Sequence, residues 1–286
     1  MNILTTPKAL QDYAKSVKRT GETIALVPTM GALHAGHLSL VEAARKSADR
    51  VIVSVFINPM QFGPNEDFAA YPRTFEADAA KLESAGVDAV FHPAPEAMYP
   101  AGYATCVEVT GALTAKLCGA KRPGHFRGVA TVVLKLLLLS GADKAFFGQK
   151  DVQQVAVLRR MIGDLGVATE IIMAPIVREA SGLALSSRNA YLSPDERTAA
   201  LVLSKSLQEA HDVYETGEKR AKVLKEITAV ELSKEPLAKI DYVELYSFPD
   251  LEEIERIHAP ALLAVAVYIG KTRLIDNIIL GEEPCC

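Results

Sequence analysis

Two short apolar runs decide what this chain can fold into. Thr23-Ile24-Ala25-Leu26-Val27 and Arg50-Val51-Ile52-Val53-Ser54-Val55-Phe56-Ile57 are both rich in β-branched residues, and Leu38 to Ala48 between them is patterned as a helix. Strands that read as nearly continuous apolar runs are those covered on both faces, and two of them joined through a helix run parallel. Residues 23–57 are therefore expected to form one strand-helix-strand unit of a parallel sheet. The alternation continues downstream. Thr74 to Ala85 reads as a helix, Val87 to Phe91 as a strand, Lys144 to Phe147 as a strand followed by a helix to about Ile162, and Thr169 to Met173 as a strand. Upstream, Thr6-Pro7 offers a cap and a first-turn proline for a helix to about Arg19.

Pro175 ends this alternation and marks the expected boundary between a domain of residues 1–175 and one of residues 176–286. In the second part Ser193-Pro194 starts a helix to about Glu215, and another begins near Glu218. Ile240 to Tyr246 alternates polar with apolar side chains, and Pro260 to Ile269 is a longer apolar run, which predicts a smaller α+β domain with a mainly antiparallel sheet. A length of 286 residues suits two domains, and 49% hydrophobic with 23% charged residues excludes a disordered chain. The net charge of −4 provides no basic footprint for nucleic acid. Val132 to Leu139, the richest apolar run, is interrupted by Lys135 and is too short to span a bilayer, so it reads as a buried helix, and no membrane partner is expected. The N-terminus lacks the basic and apolar order of a signal peptide, and Cys106, Cys118, Cys285 and Cys286 show no metal-ligand spacing. A reducing cytoplasm is the expected setting, with the Cys285-Cys286 pair on a mobile tail.

The chemistry-bearing residues fall on loops that leave the predicted strands. Val27 to His37 follows the first strand and carries His34 and His37. With a helix from Leu38, that spacing places both imidazoles on one face of the first turn, where unpaired N–H groups and the helix dipole attract anions such as a polyphosphate. The i, i+3 spacing is not the i, i+4 pattern of zinc peptidases, so no metal ligands are assigned. Asn58 to Asp67 follows the second strand, at the edge where open α/β sheets bind ligands, and contains Gln61. Gly148-Gln149-Lys150-Asp151 follows a later strand, with Gln154 just beyond, and Leu185-Ser186-Ser187-Arg188-Asn189 lies among polar residues. Lys150 and Arg188 can meet growing phosphate charge, Ser186 and Ser187 can hold phosphate oxygens, and Gln61 and Gln154 suit hydroxyl and carboxylate recognition. Each also fits a bland role. The histidines could be helix-surface residues, Ser186 to Arg188 a loop or cap, Lys150-Asp151 a solvated first turn, and His125 with Arg127 the trim of a glycine-bounded turn.

Taken together these segments resemble a known family. His34-Ala35-Gly36-His37 is similar to the His-x-Gly-His signature of a nucleotidyltransferase superfamily. Pro28 to His34, Phe56-Ile57-Asn58-Pro59-Met60-Gln61-Phe62, Tyr71-Pro72-Arg73-Thr74, Gly124-His125-Phe126-Arg127-Gly128, Phe147 to Gln154, Leu185 to Asn189 and Arg273-Leu274-Ile275-Asp276-Asn277, in that order, resemble the pantothenate synthetase (pantoate–β-alanine ligase) family. The resemblance implies a Rossmann-like parallel-sheet domain with a smaller α+β lid. It implies ATP-dependent ligation of pantoate to β-alanine through a pantoyl adenylate, with Mg2+ accompanying ATP, in a cytoplasmic homodimer. By the same resemblance Met30, Gly31, Ala32, Leu33, His34, Ala35, Gly36 and His37 bind ATP, with His37 catalytic and His34 beside it. Gly148, Gln149, Lys150, Asp151, Val177, Leu185, Ser186, Ser187 and Arg188 complete the nucleotide site, and Gln61 and Gln154 hold pantoate. Gln149 stands where relatives often carry Glu, and Leu185 where many carry Met. Nucleotidyl transfer to a phosphate acceptor, and nucleotide binding without catalysis, are the alternative activities. Pyrophosphate release separates the second of these from catalysis.

Overall fold

The computed structural model describes residues 1–64 and 66–281, so Asn65 in the expected substrate loop and the Cys285-Cys286 pair lie outside the described residues. The chain divides into two compact units, 1–114 with 118–175, and 115–117 with 176–286.

The first unit is a six-stranded parallel sheet with helices. Its strands are β1 (Asn2–Leu4), β2 (Ile24–Thr29), β3 (Arg50–Val55), β4 (Ala89–Phe91), β5 (Lys144–Gly148) and β6 (Glu170–Ala174), in the order β1-β4-β3-β2-β5-β6. The connecting helices are α1 (Pro7–Arg19), α2 (Ala35–Arg45), α3 (Phe75–Ser84), the short α4 (Pro95–Met98), α5 (Ala112–Ala115) and α6 (Leu117–Lys121), then α7 (His125–Ser140) and α8 (Val152–Leu165). The mixed α/β class agrees with the expectation from the apolar runs. The edge strand β1 has no sequence signal because three residues at an N-terminus carry too little pattern, yet Asn2, Ile3 and Leu4 align with Ala89, Val90 and Phe91.

The strand order positions the site. The chain steps outward on one side through β2, β3 and β4, then returns to add β5 on the other side of β2. Strand order therefore reverses between β2 and β5, and loops leaving two such neighbours diverge to open a crevice at the carboxyl edge. The Met30–His34 loop leaves β2, the Gln149–Asp151 turn leaves β5, and the Pro59–Gln61 turn follows β3. The sheet is held by its apolar faces, with Ile24 to Val27 and Ile52 to Val53 inaccessible to solvent. Helix α7 buries Val129, Val133, Leu136 and Leu137, as its apolar run predicts; burying such side chains contributes about 1.5–3 kcal/mol each.

The second unit contains α9 (Pro194–Ala199), α10 (Leu201–Glu215), α11 (Ala221–Leu232) and an antiparallel sheet β7 (Ala238–Ser247), β8 (Ala261–Ile269), β9 (Thr272–Leu280) in that order. Ser193 caps α9 by accepting the Glu196 N–H, and the Glu196 carboxylate returns to the Ser193 N–H. The single helix expected from residue 194 to 215 is interrupted at Ala200, where a three-residue turn closes with Leu203 N–H donating to Ala200 C=O. The strand β9 is anchored by a charge pair: Asp276, buried at mid-strand, receives both nitrogens of Arg178 at 2.7 and 3.0 Å.

Candidate active site

The helix after β2 begins at Ala35, three residues earlier than its apolar pattern indicates, so His34 is the N-cap (φ −129°, ψ 175°) and His37 the third helical residue. The histidines therefore do not share a helix face. They meet because the His37 ring reaches back to the backbone of the N-cap, and their rings lie 4.0 Å apart at 33°. His37 Nδ1 accepts the His34 N–H at 3.3 Å, which leaves the ring proton of neutral His37 on Nε2 as a donor. The Ala35 and Gly36 N–H groups, at the first two helical positions, have no intrahelical partner. His34 Nδ1 is buried and has no hydrogen-bond partner among the described residues.

Both rings are held neutral. Burial pushes His34 down to about 4, with Lys150 and Lys81 acting in the same direction, and pushes His37 down to about 3, with His34 the next cause. The pair thus occupies a desolvated corner beside Lys150 and Lys81, and each neutral ring keeps one N–H to donate. Lys150 lies in the turn after β5, with Nζ 4.0 Å from the Asp151 carboxylate. Gly148 closes β5 with an ordinary φ of −81° and Gln149 is half-buried.

Not every loop N–H is available to a ligand. Ala32 and Leu33 donate at 2.8 Å each to the Asp78 carboxylate, and Gly31 donates to Thr29 Oγ1 at 3.2 Å. Asp78 carries no motif of its own, which is why sequence reasoning misses it: the pairing joins a loop and a helix that only the fold brings together.

Gln61 sits in the turn after β3, and its side chain is oriented by Asn58, which is 1% exposed. Asn58 Oδ1 accepts from the Met60 N–H at 3.2 Å and the Tyr99 hydroxyl at 2.8 Å, while Nδ2 donates to the Gly128 carbonyl and to Gln61 Oε1, both at 3.1 Å. Those backbone partners fix which end of Asn58 is which. Gln61 Oε1 is consequently an acceptor already in use, and Gln61 presents its NH2, which reaches Met30 Sδ at 3.1 Å. A presented donor suits a carboxylate or hydroxyl oxygen. The Gln61 carbonyl is held as well. Arg122 can only donate to His125 Nε2 (3.0 Å), so the His125 proton is on Nδ1, which donates to Gln61 O at 2.8 Å. Arg122 is itself fixed by both oxygens of Glu66, at 2.7 and 2.6 Å. Arg127 of the same motif is exposed.

Gln153 and Gln154 separate clearly. Gln153 is buried and structural, accepting the Cys118 N–H at 2.9 Å and donating to Leu113 O at 2.8 Å, whereas Gln154 is half-buried on the first turn of α8. In the second unit Val177 C=O accepts the Leu185 N–H at 3.0 Å, so these two expected site residues are paired. Ser186 caps the short turn Ser187–Tyr191, accepting the Arg188 N–H at 3.3 Å, and Ser187 and Arg188 are half-buried. Asn189 pins that turn from inside through Ala184 O and Glu179.

Three histidines neutral when folded make stability depend on acid, since burial also lowers His125 to about 4. Each binds a proton in the unfolded chain below about pH 6.5 but not in the folded one until near pH 3–4. The unfolded state then holds more protons, so this stability is complete above about pH 6.5 and lost as pH falls through that window. For His125 alone the loss is of order 2–3 kcal/mol by pH 4. Urea unfolding at pH 7, 5.5 and 4.5 is expected to show a falling midpoint, and H125Q to make the fall shallower by the His125 share; a flat wild-type profile would contradict the buried neutral rings.

The sequence profile of the pantoate-beta-alanine ligase family matches residues 2–279. The chain belongs to that family. It is 53% identical over 282 residues to a pantothenate synthetase of Pelotomaculum thermopropionicum, covering 99% of this chain and 100% of that one. It is 54% identical over 275 residues to that of Thermoanaerobacter sp., covering 96% of each. The pantothenate synthetase of Thermus thermophilus superposes with a TM-score of 0.92 at 45% identity, covering 97% of this chain and 99% of that one. The pantoate-beta-alanine ligase of Francisella tularensis complexed with beta-gamma ATP and beta-alanine superposes with a TM-score of 0.80 at 34% identity, covering 98% and 97%. Like its relatives, this chain is a ligase.

Proposed function

We propose that this chain condenses pantoate with β-alanine at the expense of ATP, through a pantoyl adenylate. The observation that carries the reading is the neutral histidine pair at the start of α2, on the carboxyl edge of the parallel sheet where strand order reverses, with the Gln61 donor beside Met30. The Francisella tularensis relative complexed with beta-gamma ATP and beta-alanine supports the same reading.

In the first step a pantoate carboxylate oxygen attacks the α-phosphorus, and the bond from that phosphorus to pyrophosphate breaks. In the second the β-alanine amine attacks the acyl carbon, the C–O bond to AMP breaks, and the amine proton leaves. No protein nucleophile is required, since the carboxylate already is one, and catalysis reduces to positioning and charge stabilisation. His37 Nε2–H, His34 and the Ala35 and Gly36 N–H groups would donate to phosphate oxygens, Lys150 would supply positive charge, and Gln61 and Gln154 would hold pantoate. The loop from Leu185 to Arg188, paired with Val177, would bring Ser186, Ser187 and Arg188 to the nucleotide as part of a lid. The Mg2+ of this reading would accompany the phosphates of ATP and neutralise part of their charge. The reading includes a homodimer in a reducing cytoplasm. No helix among the described residues is long and apolar enough to cross a membrane, and Cys106 and Cys118 form no disulfide among them.

Incubation with ATP, β-alanine and pantoate labelled with oxygen-18 in its carboxylate tests the route. One label is expected in AMP. Turnover with unlabelled AMP would exclude the adenylate.

A further inference from the structure

Asp78 lies on the first turn of α3 and is completely buried. Burying a carboxylate costs several kcal/mol unless donors surround it. Here Oδ1 accepts the Leu33 N–H at 2.8 Å, and Oδ2 accepts the Ala32 N–H at 2.8 Å and the Thr74 hydroxyl at 3.1 Å. One turn further along α3, Lys81 Nζ donates to the Leu33 carbonyl at 2.6 Å. Helix α3 therefore grips both polar edges of a loop distant in sequence.

That loop needs gripping. Gly31 (φ +85°) and Ala32 (φ +50°) are both left-handed, and for an alanine this conformation costs roughly 1–2 kcal/mol. A Cβ on Gly31 would come within 3.2 Å of Asp78 Oδ2 and of Val55 Cγ1, so carboxylate and loop are closely fitted. The strained turn ends at Leu33, and the next residue is His34, whose N–H holds His37. The chain of contacts runs from Asp78 through Leu33 and His34 to the His37 ring.

We propose that Asp78 is a positioning residue for the nucleotide: it occupies the Ala32 and Leu33 N–H groups itself and so presets the curve that delivers His34 and the first turn of α2 to the phosphates. The proposal rests on the ATP reading above. A site shaped in advance by a buried carboxylate binds without a further ordering cost. Asp78 would not touch ATP, and its like charge is kept from the phosphates by the loop it holds.

D78N keeps the size of the side chain but turns an NH2 toward one of the loop N–H groups. The expected result is a rise of at least tenfold in the KM for ATP, and a matching loss of affinity for a non-hydrolysable ATP analogue by calorimetry, with the KM for pantoate within twofold of wild type. A general loss of folded enzyme would lower Vmax and leave both KM values unchanged, and a general distortion of the site would raise both together. ATP affinity unchanged in folded D78N, or equal rises for both substrates, overturns the proposal. If D78N does not fold, T74V carries the test: it removes one donor to Asp78 at the helix start and is expected to raise the ATP KM about threefold with pantoate unaffected, and an unchanged ATP KM overturns the proposal. Wild-type protein that failed to bind the analogue would instead overturn the nucleotide reading itself.

Discussion

His37→Ala is expected to slow adenylate formation by about 10²- to 10³-fold, the effect of removing one preorganised donor from a site of developing oxyanion charge. The imidazole is neutral, its Nδ1 is committed to the His34 N–H, and only Nε2–H remains to meet a phosphate oxygen. Alanine removes that donor and orphans the His34 N–H, a capping loss of about 0.5–2 kcal/mol. Stability should therefore fall modestly while the rate collapses. Pyrophosphate release from ATP and pantoate, without β-alanine, reads the first step alone, and thermal unfolding reads the second effect. His37→Gln, whose amide can still accept from His34, should recover stability more than rate. A variant that releases pyrophosphate within threefold of wild type would remove His37 from the chemistry.

Gly128→Ala is expected to damage the pantoate side of the reaction severely. Gly128 is on the first turns of α7, and a Cβ there would lie 2.1 Å from the Met60 carbonyl oxygen, 2.4 Å from its carbon and 2.6 Å from the Gln61 nitrogen. These are backbone atoms and cannot rotate aside, so either the helix or the turn carrying Gln61 must move. Overpacking of this kind costs typically about 1–3 kcal/mol, and the displacement would also stretch the Asn58 bond to Gly128 and the His125 bond to Gln61. The expected outcome is a KM for pantoate raised more than tenfold, a smaller change for ATP, and a thermal midpoint lowered by several degrees. Steady-state kinetics with each substrate varied in turn decides it. Wild-type constants for pantoate would show that Gln61 does not depend on this close approach.

Much of the fold is legible from the residues because its signals are local. Buried parallel strands announce themselves as β-branched runs, and Thr6-Pro7 and Ser193-Pro194 mark helix starts by their own chemistry. Periodicity places the start of α2 three residues late because Ala35, Gly36 and His37 have no apolar face; the cap geometry begins that helix. The residues that hold the site are mostly silent. Asn58 lies inside a recognised motif, but its role as the orienter of Gln61 depends on Tyr99 and Gly128, and Asp78 depends on a loop two elements away.

The sequence by itself determined the parallel α/β class, the family, and the set of polar residues placed after strands, since each is a property of short contiguous segments. Only the tertiary structure decided which groups are free to act. Whether a histidine is charged, which end of a glutamine faces the crevice, and whether a loop N–H is open to a ligand or already taken by Asp78 are set by burial and by hydrogen-bond partners far along the chain. Those quantities have no local signature, because desolvation and pairing exist only once the chain has closed on itself.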